Sequence, residues 1–241
     1  MDLILTNFTT TAEHLSEKRK VVNVGNPVRK SFDGITKEQA RKQLGIPDSV
    51  KFVILSFGGS LGAPKINEAA IDVMRGFCTE HGDVAHFHSG GKNYYDNAMQ
   101  MFAGYSLEKN PRLDIREYIY DMALYMIAAD LVICRAGAMT LTELAMMKKP
   151  AILIPSPNVT GNHQYKNAKA LADKGAAILL EERELNSESI VEAVKRVWSD
   201  AKLRESMSEA ISEFANKDVN AQIYCEIEKA VANKAKIERR R

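Results

Sequence analysis

The chain has 241 residues, enough for one large domain or two small ones at roughly 150 residues per domain. Apolar residues make up 45% and charged residues 27%, and the net charge of +2 argues against a nucleic-acid surface. No apolar run reaches the ~18 residues of a membrane helix, and the start, "MDLILTNFTTTAEH", lacks the basic and long apolar regions of a signal peptide. Three cysteines, Cys78, Cys134 and Cys225, without C-x-x-C spacing, read as reduced core thiols of a cytoplasmic protein.

In chain order, the first 25 residues hold a strand-like "DLILTNF", a helix or loop "TTTAEHLSEK", and "VVNVGNPVR", a strand ending in a turn. They resemble the tail of a preceding unit. Residues 37–48, "KEQARKQLGIPD", form a polar helix and connector. From residue 51 the pattern alternates. "KFVILSF" is a strand ending in "GGS", and residues 64–77 carry apolar positions at helical spacing. "DVAHFH" is the next strand, "YYDNAMQMF" a helix and "RLDIREYI" a strand, after which Asp121 is placed to cap a helix. "ADLVIC", the helix "TLTELAMM", "PAILIP", the helix "HQYKNAKALADK" and "AAILL" follow. From about Ser187 the chain is helical, with one face on Ile190, Val194, Val197 and Trp198 and a last one on Ile223, Ile227 and Val231. The tail, "KAKIERRR", reads as solvated.

Strands alternating with helices imply right-handed crossovers and a parallel sheet flanked by helices on both faces. In such a sheet ligands bind at the carboxyl ends of the strands. "GNPVR", "FGGSLGA", "HSGGK", "EYIYDM", "RAGAMTLTE" and "PNVTGNHQ" all fall there. "GGSLGA" and "RAGAMTLTE" each lead from a strand into a helix N-terminus, a pair suited to a pyrophosphate. Neither is the dinucleotide fingerprint nor the P-loop. Glu143 lies about one turn into its helix, where a carboxylate can accept both hydroxyls of a ribose; Thr140 and Glu143 equally satisfy the capping box [ST]-x-x-[DE]. Metal ligands are scarce: there is no D-x-D pair, and His86 and His88 alternate on one strand face without a third ligand. His14 and His81 read as surface residues, and His163 with Gln164 starts a helix as a polar contact. No Ser-His-Asp or Cys-His arrangement emerges. The residues describe a site for a nucleoside diphosphate or its sugar.

"GNPVR", "GGSLGA", "YIYDM", "AADLVICRAGAMTLTE", "KKPAILIPSPNVTGNHQYKNA" and "ADKGAA" resemble, in order and over residues 1–200, the C-terminal half of the MurG family. These bacterial transferases add N-acetylglucosamine from UDP-N-acetylglucosamine to lipid I, making lipid II for peptidoglycan. The resemblance implies a GT-B type Rossmann-like domain with a C-terminal helical extension: residues 1–25 as a remnant of the acceptor domain, 26–200 as the donor domain, 201–241 as helices and basic tail. It implies Arg29 and Ser60 at the diphosphate, the Ile119 backbone at uracil, and Ala138, Met139 and Thr140 at sugar and phosphates. Glu143 would hold the ribose hydroxyls, and Gln164 with His163 the sugar hydroxyls. No cofactor or metal is expected, the transfer is inverting, and the general base belongs to an N-terminal domain whose "GGTGGH"-like loop has no counterpart here. The expected partners are UDP-N-acetylglucosamine and, through that domain, lipid I and the cytoplasmic face of the membrane. The chain alone is expected to bind donor without transferring it, with an apolar patch where the other half docks. Two alternatives are a donor subunit of a split transferase and a non-catalytic nucleotide-sugar module. Leu61 stands where the family commonly has glutamine, and "HFHSGGK" is not its usual loop.

Overall fold

Two three-residue strands, β1 (Ile4–Thr6) and β2 (Val21–Asn23), pair in parallel and stand apart from the main sheet. The six strands expected after residue 51 form that sheet in the computed structural model, which describes residues 3–7, 20–27, 34–216 and 218–238. They are β3 (Phe52–Phe57), β4 (Val84–Ser89), β5 (Leu113–Arg116), β6 (Leu131–Cys134), β7 (Ala151–Leu153) and β8 (Ile178–Leu179). All pair in parallel, in the order β5-β4-β3-β6-β7-β8.

The helices are α1 (Lys37–Gln43), α2 (Pro64–Val73, continued by a π turn), α3 (Tyr95–Gly104), α4 (Met122–Ala128), α5 (Ala138–Met146), α6 (His163–Ala172), α7 (Ser187–Ser199), α8 (Ala201–Ser212) and α9 (Val219–Glu238). Successive strand side chains point to opposite faces. In β3, Phe52 and Ile54 join a core beneath α2, α3 and α7, while Val53, Leu55 and Phe57 join one with α1, α4 and α5. Both faces are covered, so the strand reads as an unbroken apolar run.

Several expectations needed revision. The helical region after Ser187 breaks at Asp200, whose Oδ1 accepts from Leu203 N at 3.0 Å and starts α8; Met207 and Ile211 of α8 are buried. On α9, Ile227 and Val231 are exposed beside Tyr224, so its apolar face meets solvent rather than the core. Cys78 and Cys134 are buried, but Cys225, on the same helix, is exposed. His81 is no plain surface residue: its ring lies 4.4 Å from those of both Phe77 and Trp198. Asp121 stands at the N-terminus of α4 without a side-chain cap; its backbone carbonyl takes the Leu124 and Tyr125 N–H groups. "TTTAEHLSEK" with His14 lies outside the described residues, as does the end of the basic tail.

Asp130, just before β6, locks the central strand pair. Its N–H donates to Val53 O at 2.8 Å, and its Oδ2 accepts from Val53 N at 2.7 Å. The carboxylate, only 10% exposed, is neutralised by Lys37 and Arg41 of α1. A capping box, with Thr36 and Gln39 each bonding the other's backbone, holds that helix start in place.

On the α2 side of the sheet the core turns polar near the strand ends. Ser56 Oγ lies 2.8 Å from His86 Nε2 and 2.7 Å from His88 Nδ1, and His88 Nε2 lies 3.0 Å from Asn67 Oδ1. Asn67 Nδ2 donates to Gly90 O and Tyr94 O, which orients its amide and makes His88 Nε2 the protonated nitrogen. His86 and His88 are thus buried partners of a serine and an asparagine; among the described residues no cluster of three or more His, Cys, Asp or Glu is placed to hold a metal.

Two stability predictions follow from these groups. Asp130→Ala leaves two cations facing a lost carboxylate and Val53 N without its acceptor; chemical denaturation is expected to read a loss of about 3 kcal/mol or more. Burial holds His88 down to about 4 from 6.5, and His86 well below 6.5 with the neighbouring His88 adding to the effect. The unfolded chain therefore binds these protons more readily than the fold does. Full stability stands above pH 6.5 and is lost as pH falls toward 4, by on the order of 3 kcal/mol for His88. The limb between pH 6.5 and 4 should flatten in His88→Gln; an acid limb of unchanged slope would contradict this assignment.

Candidate functional site

The chain runs outward from β3 to β5 on one side, then returns to β6 beside β3 and runs outward through β8 on the other. The two central strands therefore send their following loops in opposite directions, and the crevice at their carboxyl ends is where such sheets bind ligands. The glycine loop of residues 58–62 leaves β3, and residues 135–137 leave β6.

Helix α5 begins in this crevice. Its N-cap is Gly137, with no side-chain cap, and the first helical bond is Leu141 N to Gly137 O at 3.0 Å. Thr140 sits inside the first turn, three positions after the cap residue Gly137, so it cannot cap a capping box with Glu143 and that reading is corrected. The first-turn N–H groups of Ala138, Met139 and Thr140 have no intrahelical acceptor and carry the positive end of the helix dipole. Helix α2 enters the same crevice with Ala63 as an uncapped N-cap and Pro64, which has no N–H, in its first turn. α5 is therefore the richer source of donors.

Two cavities meet the α5 N-terminus. One, of about 370 Å³, is lined by Gly59, Gly62, Tyr94, Arg135, Thr140 and Gln164 among others. The second, of about 850 Å³, is lined by Ile35, Tyr118, Tyr120, Asp121, Met139 and Glu143 among others. Successive residues of one helix turn thus serve both: Thr140 faces the first, while Met139 and Glu143 face the second.

The expected site residues divide accordingly. Thr140 and Gln164 line the smaller cavity, where Gln164 Oε1 accepts from Ser156 N at 3.0 Å and leaves its Nε2 group for a ligand oxygen. Met139, 48% exposed, and Glu143 line the larger one. Ala138 lies at the α5 start between them. Ser60 is exposed at the tip of the glycine loop. Ile119 buries its side chain in the core, while Tyr118 and Tyr120 on either side face out with rings 5.1 Å apart. His163 is exposed, its Nδ1 2.9 Å from Thr160 O, and lines neither cavity. Arg29 lies outside the described residues.

Among the lining residues that carried no site assignment from sequence are an arginine and three tyrosines. Arg135 bonds Ile154 O and pairs with Glu182 at 2.5 Å, placing a cation at the floor of the smaller cavity. Its position directly after an apolar strand and before the small-residue turn was the available signal. Tyr94 sits beside the glycine loop, and Tyr118 and Tyr120 bracket Ile119 in "EYIYDM". Nothing in their spacing separates them from ordinary surface aromatics.

A family model described as the glycosyltransferase family 28 C-terminal domain matches residues 53–223. The chain belongs to glycosyltransferase family 28. Among its family relatives, a UDP-N-acetylglucosamine–N-acetylmuramyl-(pentapeptide) pyrophosphoryl-undecaprenol N-acetylglucosamine transferase of Desulforudis audaxviator is 42% identical over 205 residues, which is 84% of this chain and 54% of the relative. A protein of the same name from Acetivibrio thermocellus is 35% identical over 235 residues, 98% of this chain and 62% of that one. The chain spans little more than half the length of these curated relatives. In three dimensions it is similar to Acinetobacter baumannii MurG, with a TM-score of 0.68 and 25% identity over 95% of this chain and 65% of that one. A UDP co-structure of S. aureus MnaA, 18% identical, shares the fold at a TM-score of 0.72 over 96% of this chain and 61% of that one. The parallel sheet with its flanking helices thus has the GT-B architecture.

Proposed function

We propose that this chain is the donor-binding half of an inverting transferase that moves N-acetylglucosamine from UDP-N-acetylglucosamine onto lipid I to form lipid II. The observation that carries this is the uncapped α5 N-terminus standing between two cavities, one beside a glycine loop and an arginine, the other beside Glu143 and tyrosines. A nucleotide sugar has that shape: a diphosphate between a sugar and a nucleoside. The names of the family relatives support the choice of donor and acceptor.

In this reading uridine occupies the larger cavity, with uracil at the backbone of Ile119 and the ribose hydroxyls on Glu143. The diphosphate meets the N–H groups of Ala138, Met139 and Thr140 and is contacted by Ser60, and Arg29 is assigned to the same group. The sugar lies in the smaller cavity, where Gln164 donates to its hydroxyls and His163 stands at the rim. The acceptor 4-hydroxyl attacks the anomeric carbon as the bond to UDP breaks. Negative charge grows on the departing phosphate, and the preoriented α5 N–H groups stabilise it without reorganising. Residues 26–200 form this donor domain, and residues 201–241 extend it.

The general base and the lipid-binding surface belong to a second unit. Two features support a docking place for it: a parallel sheet with, among the described residues, only two three-residue strands, a size too small to be stable by itself, and the exposed stripe of Tyr224, Ile227 and Val231 on α9. The same features support a split enzyme whose acceptor domain is a separate chain; restored transfer on adding such a chain distinguishes it from a module that only binds. Among the described residues no helix is long and apolar enough to cross a membrane, and membrane contact is assigned to the second unit as a peripheral one.

Calorimetric titration of this chain with UDP-N-acetylglucosamine and UDP-N-acetylgalactosamine, in the presence of chelator, is expected to show selective binding of the former. Glu143→Ala should weaken binding of UDP and uridine alike by about tenfold or more, the effect of removing a charged acceptor from a bound hydroxyl pair. Wild-type chain that binds neither nucleotide sugar sinks the proposal.

A further inference from the structure

The glycine loop after β3 is braced from behind. Lys92 N donates to Ser60 O and Asn93 N to Leu61 O, both at 3.1 Å. The approach is so close that a Cβ on Gly62 would lie 2.3 Å from Gly90 O, and one on Gly91 would lie 2.1 Å from Gly62 Cα. Both glycines also hold positive φ, +85° and +78°. Residues 90–94 therefore set where residues 58–62 can be.

That bracing loop hangs on Asn67, whose Nδ2 donates to Gly90 O at 3.0 Å and to Tyr94 O at 3.3 Å. Asn67 in turn accepts from His88, and His88 and His86 converge on Ser56, one residue before the end of β3. The four polar side chains close a circuit from β3 back to the loop that β3 feeds. All four are 3% exposed or less. Apolar side chains of similar volume would fill this space without the desolvation cost of a buried hydroxyl, two imidazoles and an amide. What the polar set adds is direction: each bond fixes the next group's orientation, ending on two carbonyls of the bracing loop.

We propose that Ser56, His86, His88 and Asn67 form a positioning relay that, through residues 90–94, fixes the glycine loop against the diphosphate of the bound nucleotide sugar. The inference rests on the donor-site reading above. None of the four lines either cavity, so they act through the loop. The bracing loop touches the glycine loop itself, whereas it reaches the nucleoside cavity only through Gly91 N to Glu117 O at 2.9 Å, one residue before Tyr118, so the phosphates are affected more than the nucleoside.

Comparing UDP with uridine isolates that influence. Both are titrated calorimetrically into the wild-type chain and into Asn67→Leu, His88→Gln and Gly91→Ala, with folding checked by circular dichroism. Asn67→Leu and Gly91→Ala are expected to lose about tenfold or more in UDP affinity while uridine affinity stays within about twofold. In His88→Gln an amide can still donate to Asn67, and UDP affinity should stay within about threefold of wild type. A UDP-to-uridine ratio unchanged in both Asn67→Leu and Gly91→Ala overturns the relay while leaving the donor site standing. Gly91→Ala acts at the loop contact itself, where its Cβ would meet the Gly62 and Leu61 backbone, so it tests the last link of the relay if Asn67→Leu does not fold. Wild-type chain that binds neither UDP nor uridine overturns the donor-site reading and the relay with it.

Discussion

The pairing of β3 with β6 is the constraint from which the site derives. At its lower end Asp130 grips Val53 by both backbone groups, with Lys37 and Arg41 neutralising the carboxylate. A slip of one residue there would turn every side chain of β3 to the opposite face and exchange its two cores. At the upper end the same register brings the glycine loop and the α5 N-terminus out side by side. A charged cluster at the bottom of the sheet thus determines what stands together at the top, one strand length away.

The crevice so formed is asymmetric in its chemistry. α5 brings three open N–H groups, whereas α2, with proline in its first turn, contributes less from its own backbone. On that side the proposed donors are those of the glycine loop, whose place is held by Lys92 N on Ser60 O and Asn93 N on Leu61 O. Residues 90–94 and the polar circuit beneath them do this holding from inside the fold. Arg135, tied to Glu182 and Ile154 O, adds a cation whose position is likewise set from behind. Most of the ordering of the site is therefore completed before any ligand arrives.

The architecture was largely legible in the sequence because each central strand is covered on both faces and reads as a short, continuous apolar run. The site was legible less evenly. Thr140 and Glu143 satisfy a capping box and a ligand site with the same spacing; only the helix start at Gly137 separates the two. His86 and His88 found no role in the sequence because their partners, Ser56 and Asn67, stand 30 and 21 residues away along the chain. The apolar face of α9 looked like a core face by periodicity, and periodicity does not report which neighbour covers it. Asp200 escaped notice because a cap between two polar-surfaced helices leaves no break in composition.

The open face of α9 carries one more consequence, through chemistry rather than packing. Cys78 and Cys134 are sealed in the core, and burial pushes the Cys78 thiol up to about 12 and that of Cys134 higher still. Cys225, next to Tyr224 and two residues from Ile227, is exposed. The native chain therefore offers a maleimide or an environment-sensitive fluorophore a single thiol, beside the stripe assigned to a second unit. A label there reports shielding by a docking partner without any engineered residue.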